Sequence, residues 1–377
     1  MGCRPARYQG GWCGGRGKMD SAFPIIGGPA AWHGDLDWRQ AGLVVLDAAQ
    51  RAVVDAAWRG VREADLPEIT QAGFPLPGME GFFADLRARL MDGPGFVLIR
   101  GLDRARYSSD DLARIYTGFG AHLGRVVPQS GNGELLGHVM NVADLVDEDV
   151  RGYRTNQAMN MHSDGFDVVG LLCLRDARVG GASRICSAIA VHDRMAATRP
   201  DLLGILYEGM RIRRMARDAE RGNGHQVTPR AVPLFAPDGG GVSACVHVGQ
   251  VRDAAANGAF AMSEAQREAL EVLCALTASP EFYLEMDILP GDMQFLNNRL
   301  VLHGRAQFED WPELEKRRHL LRLWLMMPHW RARPQEAIDI FAPDDIAGWA
   351  GHRTALMEMP ERYYAQIRAE RAAVQTV

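Results

Sequence analysis

The stretch MNMHSDGFD, residues 159 to 167, sets a histidine and an aspartate two positions apart inside an apolar, strand-like run. Residues two apart on a strand point to one face, so Asn160, His162, Asp164 and Phe166 are expected to share a side of a sheet. An imidazole and a carboxylate aimed at one point can hold a metal ion or form a buried polar pair, and the nonapeptide alone leaves both open. A second histidine, His303, follows in LNNRLVLHGRAQF (296 to 308), and two arginines, Arg318 and Arg322, in RRHLLR (317 to 322). Two histidines and a carboxylate that leave coordination positions vacant form the facial triad of non-haem Fe(II). An arginine facing an apolar interior needs an anion, because an unpaired buried charge costs several kcal/mol, and a dicarboxylic cosubstrate would supply one.

These residues need a sheet to carry them, and strand-like runs accumulate around them. Runs bounded by glycine, proline or polar clusters occur at 95–102, 138–144, 158–167, 170–177, 183–191, 241–248, 282–289, 293–298 and 319–327. Many short strands with such turns predict a sandwich or jelly roll. Helical spacing marks 46–64, 79–90, 108–124, 190–208 and 263–278. Ser108 or Ser109 can cap the third, and a Ser-x-x-Gln capping box opens the last. The polar segment 213–241 has no clear period and reads as a lid. Residues 1–18, Gly-rich and basic, read as a disordered extension with Met19 as a possible start. The rest divides into a helical segment at 19–94, a core at 95–330 and a helical extension at 331–377.

Composition excludes several classes. Of 377 residues, 47% are hydrophobic and 24% charged, close to the globular average. A net charge of −5 with no long Lys/Arg run gives no footprint for nucleic acid, so a small-molecule partner is expected. The six cysteines, Cys3, Cys13, Cys173, Cys186, Cys245 and Cys274, include no C-x-x-C pair and read as reduced thiols. No apolar stretch is long enough for a membrane span, and a cytoplasmic location is expected.

From about Gly95 to Pro328 the chain resembles the taurine dioxygenase (TauD/TfdA) branch of the Fe(II)/2-oxoglutarate-dependent dioxygenases. His162, Asp164 and His303 match that family's iron ligands, an H-x-D and a distal histidine. Arg318 and Arg322 match its Arg-x-x-x-Arg pair, whose first member grips the distal carboxylate of 2-oxoglutarate. The second meets the cosubstrate or the substrate's anionic group. VGGASRICSAIAVHDRM (179–195) resembles the segment whose hydroxyl helps hold that carboxylate, with Ser183 at the hydroxyl position.

The resemblance implies a mainly β fold with flanking helices, a double-stranded β-helix or jelly roll. It implies Fe(II), with 2-oxoglutarate and O2 as cosubstrates, release of succinate and CO2, and oxidation of an unactivated C–H bond. Hydroxylation is the default, because halogenating members replace the carboxylate that Asp164 retains. Desaturation or ring closure, or a jelly roll that binds metal and 2-oxoglutarate as a sensor, are the alternatives. Asn160, Phe166, Gln129, Asn132, Arg154 and His247 are the candidate substrate contacts, with Asn297 and Asn298 satisfying backbone near His303. The substrate is expected to be small and polar, amino-acid-like or a natural product. A homo-oligomer is possible through the C-terminal helical stretch.

Overall fold

The computed structural model describes residues 23–129, 133–145, 152–213, 227–239, 241–328, 330 and 359–374. The expected N-terminal extension, Met19, Asn132, and 331–358 of the expected C-terminal extension lie outside the described residues.

Fifteen short strands are found among the described residues: β1 (Leu43–Val45), β2 (Phe96–Arg100), β3 (Arg125–Val127), β4 (Leu136–Met140), β5 (Met159–His162), β6 (Val168–Arg175), β7 (Val179–Gly180), β8 (Ser183–Ser187), β9 (Phe235–Asp238), β10 (Gly241–Ala244), β11 (Tyr283–Met286), β12 (Met293–Asn297), β13 (Val301–Arg305), β14 (Phe308–Glu309) and β15 (His319–Met326). Seven of them form one sheet in the order β1-β2-β12-β6-β15-β3, with β4 also paired to β15. Four form a second sheet, β11-β8-β13-β5, antiparallel throughout. In the larger sheet only the β1–β2 pair is parallel among the described strands.

The period-2 alternation of β12 explains how the sheets stack. Met293 and Phe295 enter an apolar cluster with the helices Ala48–Gly60, Glu80–Met91 and Ser109–Leu123. Leu296 instead joins Phe96, Leu98, Val169 and Trp324 of its own sheet and Ile185, Leu284, Met286 and Val301 of the smaller one. The two sheets therefore face each other across a shared interior. Helices Ala188–Thr198, Pro200–Glu208, Val248–Ala256 and Glu264–Ala278 cover the other side of the small sheet through Cys186, Leu302 and the residues packed on them.

Several sequence expectations meet specific physical outcomes. The single helix expected at 190–208 is two, because Pro200 drives Arg199 out of the helical region (φ −142°, ψ 60°) and then opens the next helix itself. Ser263 and Gln266 form the expected capping box, and Ser108 caps its helix through the Asp111 N–H. The strand expected at 158–167 stops at His162. Of the expected lid, Met210 and Val232 form a bridge and β9 pairs with β10, burying Val232, Leu234 and Phe235 completely. That part belongs to the core, and 214–226 lie outside the described residues. The helix Pro360–Val374 buries Tyr363, Tyr364 and Ile367 against Met140, Val142, Leu145 and Leu314 of its own chain. No described helix is long and apolar enough to cross a membrane. Cys173, Cys186 and Cys274 are free thiols.

Gly170 of β6 shows how tightly the helices sit on the large sheet. A Cβ there would lie 2.2 Å from the Tyr116 hydroxyl and 2.9 Å from the Phe295 ring. Gly170→Val therefore overpacks the layer and is expected to destabilise the protein by about 1–3 kcal/mol, read as a lower urea midpoint with an unchanged slope.

Candidate active site

The chain passes from the small sheet to the large one between β5 and β6, and returns between β12 and β13. The two crossings lie side by side and are stapled to each other. Asn298 is the staple: its Oδ1 accepts the Asp164 N–H at 3.3 Å, its Nδ2 donates to the Phe166 carbonyl at 3.0 Å, and its own N–H donates to the Asp167 carbonyl at 3.0 Å. Arg299 adds an ion pair to Asp167 at 2.6 Å. Ser163 is fixed on its other side, its N–H donating to the Val246 carbonyl at 2.9 Å and its hydroxyl accepting the Val246 N–H at 3.2 Å. Asp164 thus sits on a crossing, and its backbone pairs with a side chain instead of a neighbouring strand. Asn160, His162, Asp164 and Phe166 therefore do not line one strand face, although His162 and Asp164 still converge.

His162 and His303 converge through register. They face each other across the β5–β13 pair, with ring centroids 4.3 Å apart. His162 donates Nδ1–H to the Asn160 carbonyl at 2.9 Å, which leaves Nε2 for a ligand in the neutral ring. His303 Nε2 lies 3.7 Å from Asp164 Oδ2, and one donor atom from each of the three residues lies within 4.8 Å of the others.

The charge states suit a cation. Burial alone would raise the Asp164 carboxyl, but Arg322, the two imidazoles and the Trp324 indole hold it well below the usual carboxylate range. Trp324 Nε1–H donates to Asp164 Oδ2 at 2.8 Å, and Arg322 Nη1 lies 3.5 Å from both carboxylate oxygens. Burial, then repulsion from His162, pushes the His303 imidazole down to about 3, against the pull of Asp164. His303 is therefore neutral at physiological pH, and its buried Nδ1 has no hydrogen-bond partner. A neutral imidazole with an unsatisfied edge, a second imidazole oriented by a backbone carbonyl and an ionised carboxylate fit the donor set of non-haem iron.

The large sheet supplies the arginines. Arg318 is buried just ahead of β15, where its Nη2 donates to the Gly181 carbonyl at 3.2 Å and its Nη1 has no partner. Gly181 has φ +77°, and a Cβ there would meet Arg318 Nε at 3.0 Å, so glycine is required both for the turn and for the arginine's approach. Ser183 on β8 is buried, its hydroxyl donating to Gln294 Oε1 at 3.3 Å. Arg322 is already engaged: besides Asp164, its Nε donates to Gln129 Oε1 at 2.8 Å, and its guanidinium covers the Trp324 and Tyr153 rings. Gln129 spends its Nε2 on the carbonyls of Leu135 and Arg322, so its whole amide orients Arg322.

The other candidate contacts are scattered. Asn160 is exposed, with its carbonyl bound to His162. Phe166 is buried with its ring 5.1 Å from Trp324. Arg154 accepts the Val142 N–H on its carbonyl and keeps Nε buried without a partner. His247 is buried at the start of the helix Val248–Ala256, near enough to His303 to lower its basicity. Trp324, Gln294 and Arg305 were not among the sequence candidates. Trp324 and Arg305 were findable by period 2, standing two residues beyond Arg322 and His303 on the same strands.

A family model described as Taurine catabolism dioxygenase TauD, TfdA family matches residues 63–324. The chain belongs to that family. Among curated relatives, FR-33289 synthase of Streptomyces rubellomurinus is 28% identical over 302 residues, spanning 77% of this chain and 86% of the relative. The taurine hydroxylase-like protein SAT17 of Stachybotrys chartarum is 27% identical over 285 residues, 69% of each chain. Among solved structures, asparagine oxygenase with Fe(II), 2S,3S-3-hydroxyasparagine and succinate is similar at TM-score 0.58 and 18% identity, covering 75% of this chain and 93% of that one. The non-heme iron oxygenase OrfP with Fe, succinate and (3S)-hydroxy-L-Arg also reaches 0.58, at 15% identity, covering 75% and 94%. This TauD/TfdA family member is a 2-oxoglutarate-dependent non-haem iron dioxygenase, with Fe(II) as metal and 2-oxoglutarate and O2 as cosubstrates.

The Asn298 staple yields a test. Asn298→Ala removes two side-chain bonds from the turn that carries Asp164, and outer contacts of this kind typically change metal affinity 10–100-fold. The variant is expected to fold with native circular dichroism and to bind Mn(II) about that much more weakly in a calorimetric titration.

Proposed function

We propose that this dioxygenase hydroxylates an unactivated C–H bond of a small polar substrate, amino-acid-like or a natural product, with His162, Asp164 and His303 holding the iron. The observation that carries the reading is the convergence of these three side chains at the seam of two sheets, and Arg318, whose buried Nη1 has no partner, supports it. On this reading the facing sheets are the two halves of a double-stranded β-helix. The known outcomes on the similar folds, hydroxyasparagine and hydroxy-L-Arg, support an amino-acid-like substrate and hydroxylation. Asp164 supports the same outcome, since its carboxylate fills the position a halide would need.

Iron with 2-oxoglutarate and O2 supplies oxidative decarboxylation to succinate and CO2 and the abstraction of a substrate hydrogen. The protein's own part is positional. Arg318 anchors the distal carboxylate of 2-oxoglutarate through a charge-assisted pair, with the Ser183 hydroxyl beside it. Arg322 and Trp324 keep Asp164 ionised and fix its direction, and the Asn160 carbonyl keeps the His162 Nε2 lone pair turned towards the metal. Apolar walls at Phe166 and Trp324 limit water at the seam. Arg322, already paired to Asp164, acts on the metal side of the pocket, and Arg154 and His247 remain the substrate-facing candidates.

Purified protein with Fe(II), O2 and ascorbate is expected to convert 2-oxoglutarate to succinate, faster when the right amino acid or related small acid is present. His162→Ala and Asp164→Ala are each expected to reduce succinate to the enzyme-free background while leaving the thermal midpoint within a few degrees. Wild-type succinate from either variant overturns the ligand assignment. Wild-type turnover that continues without O2 overturns the reaction.

A further inference from the structure

Arg305 is a buried guanidinium that the iron site does not use. It stands two residues after His303 on β13, hence on the same inward face, and it is registered directly across from Ser183 on β8. Facing residues of an antiparallel pair have Cβ atoms about 4.5–5.5 Å apart, so Arg305 and the Ser183 hydroxyl border the same small region. Arg318 borders it too: Arg305 and Arg318 both pack their guanidinium groups on the Phe308 ring, at 4.8 and 5.2 Å from its centroid.

The hydrogen bonds there do not balance. Arg305 spends Nη2 on the carbonyls of Gly152, Thr155 and Gln157, at 3.5, 2.9 and 2.6 Å, while its Nε and Nη1 are buried without partners. With Arg318 Nη1, three buried guanidinium nitrogens are left unsatisfied. Among the described residues, neither arginine has a carboxylate at ion-pair distance. Asp310 and Asp176 are the nearby acids, and neither reaches ion-pair distance; Asp310 Oδ1 accepts the Arg318 backbone N–H and its Oδ2 has no partner. Burial raises the Asp310 carboxyl, which weakens it as a counterion.

We propose that Arg305 is a second guanidinium of the 2-oxoglutarate subsite, closing with Arg318 and Ser183 around the distal carboxylate of the cosubstrate. One carboxylate supplies the missing negative charge and acceptor lone pairs for the three unsatisfied nitrogens. The same side chain links that subsite to the turn at 152–157, which lays Tyr153 over Arg322 at 5.1 Å. Cosubstrate binding thereby steadies a wall beside the metal. The inference rests on the assignment of Arg318 to the distal carboxylate.

The test is calorimetric binding of 2-oxoglutarate and of pyruvate, which lacks the distal carboxylate, to the Fe(II)-loaded full-length protein without O2. Arg305→Met is expected to weaken 2-oxoglutarate by about 30-fold or more, the lower end of the range for removing one partner of a buried charge pair, and to leave pyruvate unchanged. Arg305→Gln keeps an amide donor for the 152–157 carbonyls and drops the charge, and is expected to show the same selective loss even if the methionine variant folds poorly. Equal weakening of both acids makes Arg305 a structural staple and overturns the inference, as does wild-type binding of 2-oxoglutarate by Arg305→Gln. Arg318→Met, measured alongside, separates the two readings. If it spares 2-oxoglutarate, the Arg318 assignment fails, whereas a loss there with none at Arg305 sinks only the present inference.

Discussion

A carboxylate buried between two sheets takes up a proton unless cations and donors compensate for lost water, and Asp164 is compensated from three directions. Trp324 and Arg322 reach it from β15 of the large sheet, and His303 from β13 of the small one. Its own backbone is pinned by Asn298 on the returning crossing. None of these groups is near Asp164 in sequence, so the pocket that keeps the buried carboxylate ionised exists only once both sheets have formed and faced each other. On the proposed reading, metal affinity and folding are linked, because the three donor side chains converge only when both sheets face each other.

The helical layers make that seam rigid. The outer face of the large sheet is closed by aromatic packing around Phe295, Tyr116 and Gly170, which leaves β12 and β6 little freedom to slide. Since β12 runs into the crossing that carries Asn298, and β6 begins just after the one that carries Asp164, rigidity of the sheet becomes rigidity of the ligands. A slip of one residue in β5 against β13 would turn His162 away from His303. The helices on the outer face of the small sheet, packed through Cys186 and Leu302, oppose it.

The candidate metal ligands were legible because their chemistry is local: His-x-Asp, a distal histidine and a paired arginine motif keep their meaning in any register. Their convergence has a cause beyond strand period. Period 2 places Asp164 beside His162 on a strand, yet Asp164 lies past the strand's end, and no local pattern announces that Asn298, 134 residues away, takes over its backbone pairing. Helix ends at Ser108 and Ser263 were legible from capping chemistry, and the break at Arg199 was available from the following proline but was overridden by the apolar period. Gln129 looked like a substrate contact because it is polar and lies in a Gly-containing stretch. Its burial and its three bonds to Arg322 and Leu135 are tertiary facts, which composition does not carry.

The two arginines of RRHLLR show why the motif alone underdetermines function. Four residues apart, one just ahead of β15 and the other on it, they meet opposite electrostatic environments. Arg322 finds Asp164, Gln129 and two aromatic rings. Arg318 finds one carbonyl, a ring and another arginine. The environment thus runs from compensated charge near Asp164 to uncompensated charge at Arg318. On the proposed reading, a dicarboxylate that enters such a gradient has one favourable orientation, with one anionic end at Arg318 and the other towards a cation held by His162, Asp164 and His303. Reversal would set a carboxylate against Asp164 and leave the arginines unpaired. The polarity of the pocket is therefore fixed by which of two identical side chains the fold has already satisfied.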